Sequence, residues 1–186
     1  VCHVPHDHNK AVQDYTNGLL WNHQVSTQNY QMYDSTFSPT LTGVQESQPV
    51  GNSKLCLACH DGTVGIDSFD GSHAGTEFIG AGSLRVPNFS TSAGDKDLRG
   101  THPLSIRFPS DYLTSGDFNN PAETAWASGD KVASTLQDGM VQCSTCHDVH
   151  DKDAVASTHL LRTANSSNAN AGSGLASGLC LTCHKK

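Results

Sequence analysis

Three short runs carry the chemistry of this chain: Cys56-Leu57-Ala58-Cys59-His60, Cys143-Ser144-Thr145-Cys146-His147 and Cys180-Leu181-Thr182-Cys183-His184. In C-x-x-C-H the two thiols can add to the vinyl groups of a haem, and the imidazole that follows ligates its iron. A CxxC pair also serves zinc knuckles, but there the next residue is free to vary. With 11 His in 186 residues, a His following all three pairs would arise by chance about 2 times in 10,000, so the motif reads as covalent haem attachment.

Six of the seven Cys are used by these runs, and the seventh is Cys2, followed by His3. Val1-Cys2-His3 reads as the tail of a fourth C-x-x-C-H, truncated so that its first Cys lies two residues before the start of the chain. A free thiol, half of a disulfide or a single-thioether attachment are the alternatives for Cys2. Four haem c groups are therefore expected, with Cys2, Cys56, Cys59, Cys143, Cys146, Cys180 and Cys183 as attachment points. His3, His60, His147 and His184 are their first axial ligands.

Each iron needs a second axial ligand. Only Met32 and Met140 could supply sulfur, whereas seven His remain after the first four are assigned. Four bis-His irons are thus possible from His alone, and His in place of Met lowers the potential. His3-Val4-Pro5-His6 and His147-Asp148-Val149-His150 share one spacing. On a helical turn, residues at i and i+3 lie on one face. The two ligands of one iron lie on opposite faces of the ring, so His6 and His150 are expected to serve a different iron from His3 and His147. An exposed, unligated His is the plain alternative at both positions. His23, after Leu19-Leu20-Trp21-Asn22, and His102, made extended by Pro103, are further candidates, each against a hydrogen-bonded, half-buried imidazole. His8, His73 and His159 are read as non-ligands.

The elements that position these residues are predicted to be sparse. Leu, Ile, Val and Phe make up 36 of 186 residues, about 19%, with a net charge of −7. Such chains tend to stay disordered for lack of a core. Four haems, one for about 46 residues, would supply the missing apolar surface, and the apo-chain should be largely unfolded. Axial bonds from His23 and His102 would also close long loops. The expected fold is mostly irregular coil with short helices and a small β-hairpin, organised around a haem chain as one tetrahaem domain over residues 1–186.

Short helical turns should carry the C-x-x-C-H units. Asn120-Pro121-Ala122-Glu123 supplies a cap, a first-position proline and an acid, predicting a helix to about Ser128 stopped by Gly129. Lys131 to Leu136 and Met140 to Gln142 are expected to pair around Asp138-Gly139. From Thr163 to Gly178 the composition is low-complexity Asn, Ser, Ala and Gly. The acidic balance argues against nucleic acid, and no apolar run approaches the ~20 residues of a membrane span. Without a signal peptide the chain reads as mature, and this mode of haem attachment places it in the periplasm or beyond the cell surface. Arg85, Arg99, Arg107 and Arg162 are either propionate partners or solvated surface.

The order Cys-His-Val-Pro-His, Leu-Trp-Asn-His and Leu-Cys-Leu-Ala-Cys-His-Asp-Gly-Thr-Val, continued by Thr-His-Pro-Leu-Ser, Val-Gln-Cys-Ser-Thr-Cys-His-Asp-Val-His and Leu-Cys-Leu-Thr-Cys-His, resembles the multihaem cytochromes c of metal-reducing bacteria. It is most similar to the OmcE-type tetrahaem cytochromes that polymerise into extracellular filaments, or cytochrome nanowires. The resemblance runs from residue 1 to 186. It implies that His6, His23, His102 and His150 are the distal ligands, and that His6 reaches a haem of the next protomer in an end-to-end homo-polymer. The missing first Cys departs from that pattern. The expected function is long-range electron transfer without catalysis and with redox partners unknown. A soluble periplasmic tetrahaem shuttle is the alternative, and a catalytic multihaem reductase a third reading.

Overall fold

A computed structural model describes residues 2–3, 21–41, 43–69, 72–80, 85–86, 96–165 and 177–185. The fold consists of a few short helices, one two-stranded antiparallel sheet and much coil. Contacts gather into two compact units, Val1–Leu41 with Gln45–Ser105, and Thr42–Val44 with Ile106–Lys186. Among the described residues no helix is long and apolar enough to cross a membrane.

The first unit is built on α1 (Gly51–His60), which buries Ser53, Leu55, Leu57 and Ala58. Lys54, Leu55, Leu57 and Ala58 are good helix formers, yet no side chain caps the helix at Val50. Instead the Val50 N–H donates to the Ser105 hydroxyl at 3.0 Å. Ser105 is fully buried and left-handed at φ 54°. A long-range contact thus replaces the local cap and ties the His102–Ser105 segment to the head of α1. At the other end the Asp61 N–H returns to the Leu57 carbonyl, and Gly62 at φ 72° turns the chain away. Glycine adopts that conformation without the Cβ penalty of other residues. Val25, Tyr30, Val64, Leu98 and Leu104 complete the buried apolar set of this unit.

In the second unit, β1 (Ile106–Arg107) pairs with β2 (Met140–Val141), in the register Ile106 to Val141 and Arg107 to Met140. Only Ile106, Trp126, Val132 and Met140 are buried apolar residues among those described here. The turn chemistry of Asp138-Gly139 holds: both have positive φ (52° and 75°) and Gln137 bridges Met140 across them, as a two-residue I′ turn requires.

The rest of the predicted hairpin does not form. Val132–Thr135 is a helical turn, α2. The amides of Val132 and Ala133 donate to Thr124 and Pro121 carbonyls, so they are not available to pair with Met140–Gln142. The Thr135 hydroxyl accepts from the Trp126 indole at 3.0 Å and donates to the Val132 carbonyl at 2.8 Å. The helix predicted to Ser128 does not form either, and residues 121–123 make only a turn. Asn120 does cap, accepting from the Ala122 N–H at 3.0 Å, but the chain leaves the turn when Ala125 bridges Lys131. Gly129, at φ 98°, ends the following turn.

Two further α-helices among the described residues are α3 (Cys143–Cys146) and α4 (Gly178–Cys183). α3 opens on a capping box between Gln142 and Thr145. α4 opens on Ser177, whose hydroxyl accepts from the Cys180 N–H. Its far end is held by the Asn119 side chain, which donates to the Leu181 and Thr182 carbonyls. Residues 166–176, most of the low-complexity stretch, lie outside the described residues.

Candidate haem-attachment sites

Each complete C-x-x-C-H sits on a helical turn: Cys56 to His60 at the end of α1, Cys143 and Cys146 on α3, and Cys180 and Cys183 on α4. Residues three apart on a turn share a face, so both thiols of a pair are presented to one side. Among the described residues no disulfide joins any two of the seven Cys. Burial pushes the Cys59 thiol up to about 11, reinforced by Cys2 and Asp61. It pushes Cys146 up to about 11, with Cys143 and Cys180 adding to it. Cys183 rises to about 12, from burial and then from Cys146 and Cys180. Electrostatic coupling thus links Cys2 with Cys59 in the first unit and Cys146 with Cys180 and Cys183 in the second.

After the thiol pair the chain follows a repeated course. His147 and His184 are extended C-caps, and each forms an antiparallel bridge to a large apolar residue, Leu161 and Phe118. His3 does the same with Trp21. Ring contacts accompany two of these bridges, His184 to Phe118 at 4.7 Å and His3 edge-on to Trp21 at 5.8 Å. His60 differs, remaining helical, with its carbonyl accepting from the Val86 N–H.

Three imidazoles have at Nδ1 the backbone partner that a metal-bound ring would use. A ligating His usually donates its other ring N–H to a carbonyl or carboxylate, which fixes tautomer and orientation. Here the Nδ1 of His147 meets the His159 carbonyl at 3.0 Å. The Nδ1 of His102 meets the Pro103 carbonyl at 2.8 Å, and that of His23 meets the Gln24 carbonyl at 2.7 Å. A carbonyl only accepts, so an Nδ1–H would be the donor in each of these contacts. His23 is buried at 3% exposure. Its Nε2 lies 3.0 Å from the Gly65 carbonyl and 3.5 Å from the Cys59 sulfur. A ring with one N–H can serve only one of its two carbonyls, and Nε2 is where an iron would bind. Among the described residues no group of three or more His, Cys, Asp or Glu converges.

The His147 carbonyl partner comes at a conformational cost. Ser157, His159 and Leu160 are left-handed, at φ 63°, 55° and 64°, a state that costs roughly 1–2 kcal/mol for each ordinary residue. This loop aims the His159 carbonyl at the His147 ring. His159, read as a non-ligand, therefore contributes through its backbone.

The structure also revises the His147–His150 spacing. No helix connects the two residues; α3 ends at Cys146 and a turn closes from Asp148 to Asp151. His150 and His102 are exposed, and His6 lies outside the described residues.

Two residues were not picked out as site residues from the sequence. Asp61 and Asp148 directly follow His60 and His147, and both are buried. Asp61 accepts from the Ser26 and Tyr30 hydroxyls at 2.5 and 2.6 Å and from the Thr63 N–H at 2.7 Å. Burial first, then its bond to Asp61, raises the Tyr30 phenol, keeping it a donor. Asp148 accepts from the backbone N–H groups of Asp153 at 2.6 Å and His150 at 3.2 Å. The Asp153 N–H, followed by the His150 N–H and Arg162, holds its carboxyl below the usual range. The signal for both was the repeated Cys-His-Asp.

All four arginines are engaged by the chain. Arg85 donates to the Ile79 carbonyl, Arg99 to Asp97, and Arg107 to the Asp138 carbonyl. Arg162 lies among Asp130, Asp148 and Asp153. In comparison with known proteins, no family model matches this chain and no curated protein matches it.

Proposed function

We propose that this chain is a tetrahaem c-type cytochrome that transfers electrons over long distances as a protomer of an extracellular filament. Bound haem supplies a one-electron iron couple, and a row of haems supplies a path for electrons. Cys2, Cys56, Cys59, Cys143, Cys146, Cys180 and Cys183 would hold the haems covalently. His3, His60, His147 and His184 would be the first ligands and His6, His23, His102 and His150 the second. The two units are then halves of one tetrahaem protein, with a pair of attachment motifs in each.

The observation that carries this reading is the set of three imidazoles held at Nδ1 by backbone carbonyls, one of them in a C-x-x-C-H motif. At His147, the one within a C-x-x-C-H motif, a carbonyl on Nδ1 makes Nε2 the atom that would meet a metal. Two further features support it. The cysteine motifs lie on single turns, with both thiols to one side. Val149 and Leu160, next to the His147 motif and its loop, are 57% and 38% exposed, as apolar residues are where a porphyrin would cover them. With an imidazole for each second position no substrate site remains, so the protein is read as a carrier and not an enzyme. The filament rests on the resemblance and on His6, which would ligate a haem of the next protomer.

Pyridine-haemochrome counting together with electron microscopy tests this reading. Four haems per chain, seven Cys resistant to alkylation and elongated particles are expected, and His6→Ala should leave folded protomers that do not polymerise. Fewer than three thioether-linked haems would overturn the cofactor assignment. A single species of about 20 kDa plus haem mass would instead favour a periplasmic shuttle.

A further inference from the structure

We infer that Asp61 and Asp148 are positioning residues that set the redox potential of the haems held on His60 and His147, dividing each unit into a lower- and a higher-potential member. The inference rests on the haem reading above. In each unit one attachment motif continues with Asp (His60-Asp61, His147-Asp148) and the other does not (His3-Val4, His184-Lys185). Both carboxylates are buried, at 4% and 5% exposure. The described bonds to each of them come from donors: Ser26, Tyr30 and Thr63 for Asp61, and the backbone of Asp153 and His150 for Asp148. Each carboxyl group is thus surrounded by hydrogen-bond donors, the environment that suits a carboxylate.

A fixed negative charge one residue from an iron ligand favours the oxidised metal, which carries one more positive charge than the reduced form. Burial strengthens that interaction relative to water. The two sites are not equal. The donors named on Asp61 are neutral hydroxyls and an amide, whereas Asp148 also has the Arg162 guanidinium at 3.8 Å. The effect should therefore be larger at Asp61. A haem on His184, followed by Lys185, has a cation at the corresponding place.

The test is a spectroelectrochemical titration of the haem-loaded protein and its Asp61→Asn and Asp148→Asn variants. Asp61→Asn should raise the reduction equilibrium of one haem of four about tenfold, which is 59 mV for a one-electron couple. Asp148→Asn should act in the same direction by a smaller factor. Tyr30→Phe removes a donor but keeps the charge, so it should shift the same haem the opposite way; it also decides the matter if Asp61→Asn fails to load. Four haems with shifts below twofold in Asp61→Asn, or Tyr30→Phe moving in the same direction as Asp61→Asn, would overturn the inference and leave the cytochrome reading standing. A chain that binds no haem would overturn that reading instead.

Discussion

Replacing Arg162 with Met keeps the side chain's apolar stem and removes its charge, which isolates one electrostatic hub of the second unit. The Arg162 side chain is 13% exposed, and its guanidinium lies 3.8 Å from both Asp148 and Asp130 and 3.9 Å from Asp153. One such pair at an effective dielectric near 20 is worth about 4 kcal/mol before desolvation. Desolvation offsets much of this, and breaking a fully buried pair costs about 3–5 kcal/mol net. Asp130 is half exposed, and surface pairs contribute about 0–1 kcal/mol. Asp148 alone is buried, and at 3.8 Å the pair lacks a close hydrogen bond, so Arg162→Met should cost about 2 kcal/mol. The assay is urea unfolding of the haem-loaded protein at low salt and at about 0.5 M salt, where exposed pairs are screened and buried ones are not. More than half of the loss should survive in high salt.

Acid titration of the same variant gives a second reading. A carboxyl held low in the folded state contributes stability above its ordinary pKa and loses it as pH falls through the folded value. The Asp153 amide, not Arg162, is the main cause at Asp148, so the acid limb should rise by less than about one pH unit. A stability change below about 0.5 kcal/mol, the level of an ordinary surface substitution, would refute the reasoning.

Gly62→Ala should destabilise the first unit by about 1–2 kcal/mol, because φ is 72° and a Cβ would lie 2.5 Å from the Arg85 guanidinium carbon. Thermal unfolding measures this, and an unchanged midpoint would show that the turn relaxes. His23→Ala should convert one of four haems to a five-coordinate, high-spin species in the absorption spectrum, while haem count stays at four. A spectrum like that of the parent protein would remove His23 from the ligand set.

The thiol pairs, their following imidazoles and their helical turns were legible from the chain alone, since each is a matter of spacing within five residues. So were the Asp138-Gly139 turn and the Asn120 cap, which depend on the conformations those residues prefer. What lay beyond reach is set by partners distant in sequence. β1 is two residues long and has no periodicity to reveal it; it exists because Met140–Val141 comes alongside. Lys131–Leu136 reads as a strand by composition and becomes α2 because the Pro121–Thr124 carbonyls take its amides. The Asp61 site draws on Ser26 and Tyr30, 35 and 31 residues away, and the His147 ring is aimed by a carbonyl on a left-handed loop. Local residue types therefore settle which thiols and imidazoles stand together within a motif. The fold decides which of them are brought together, because backbone donors and acceptors must find partners wherever the chain places them.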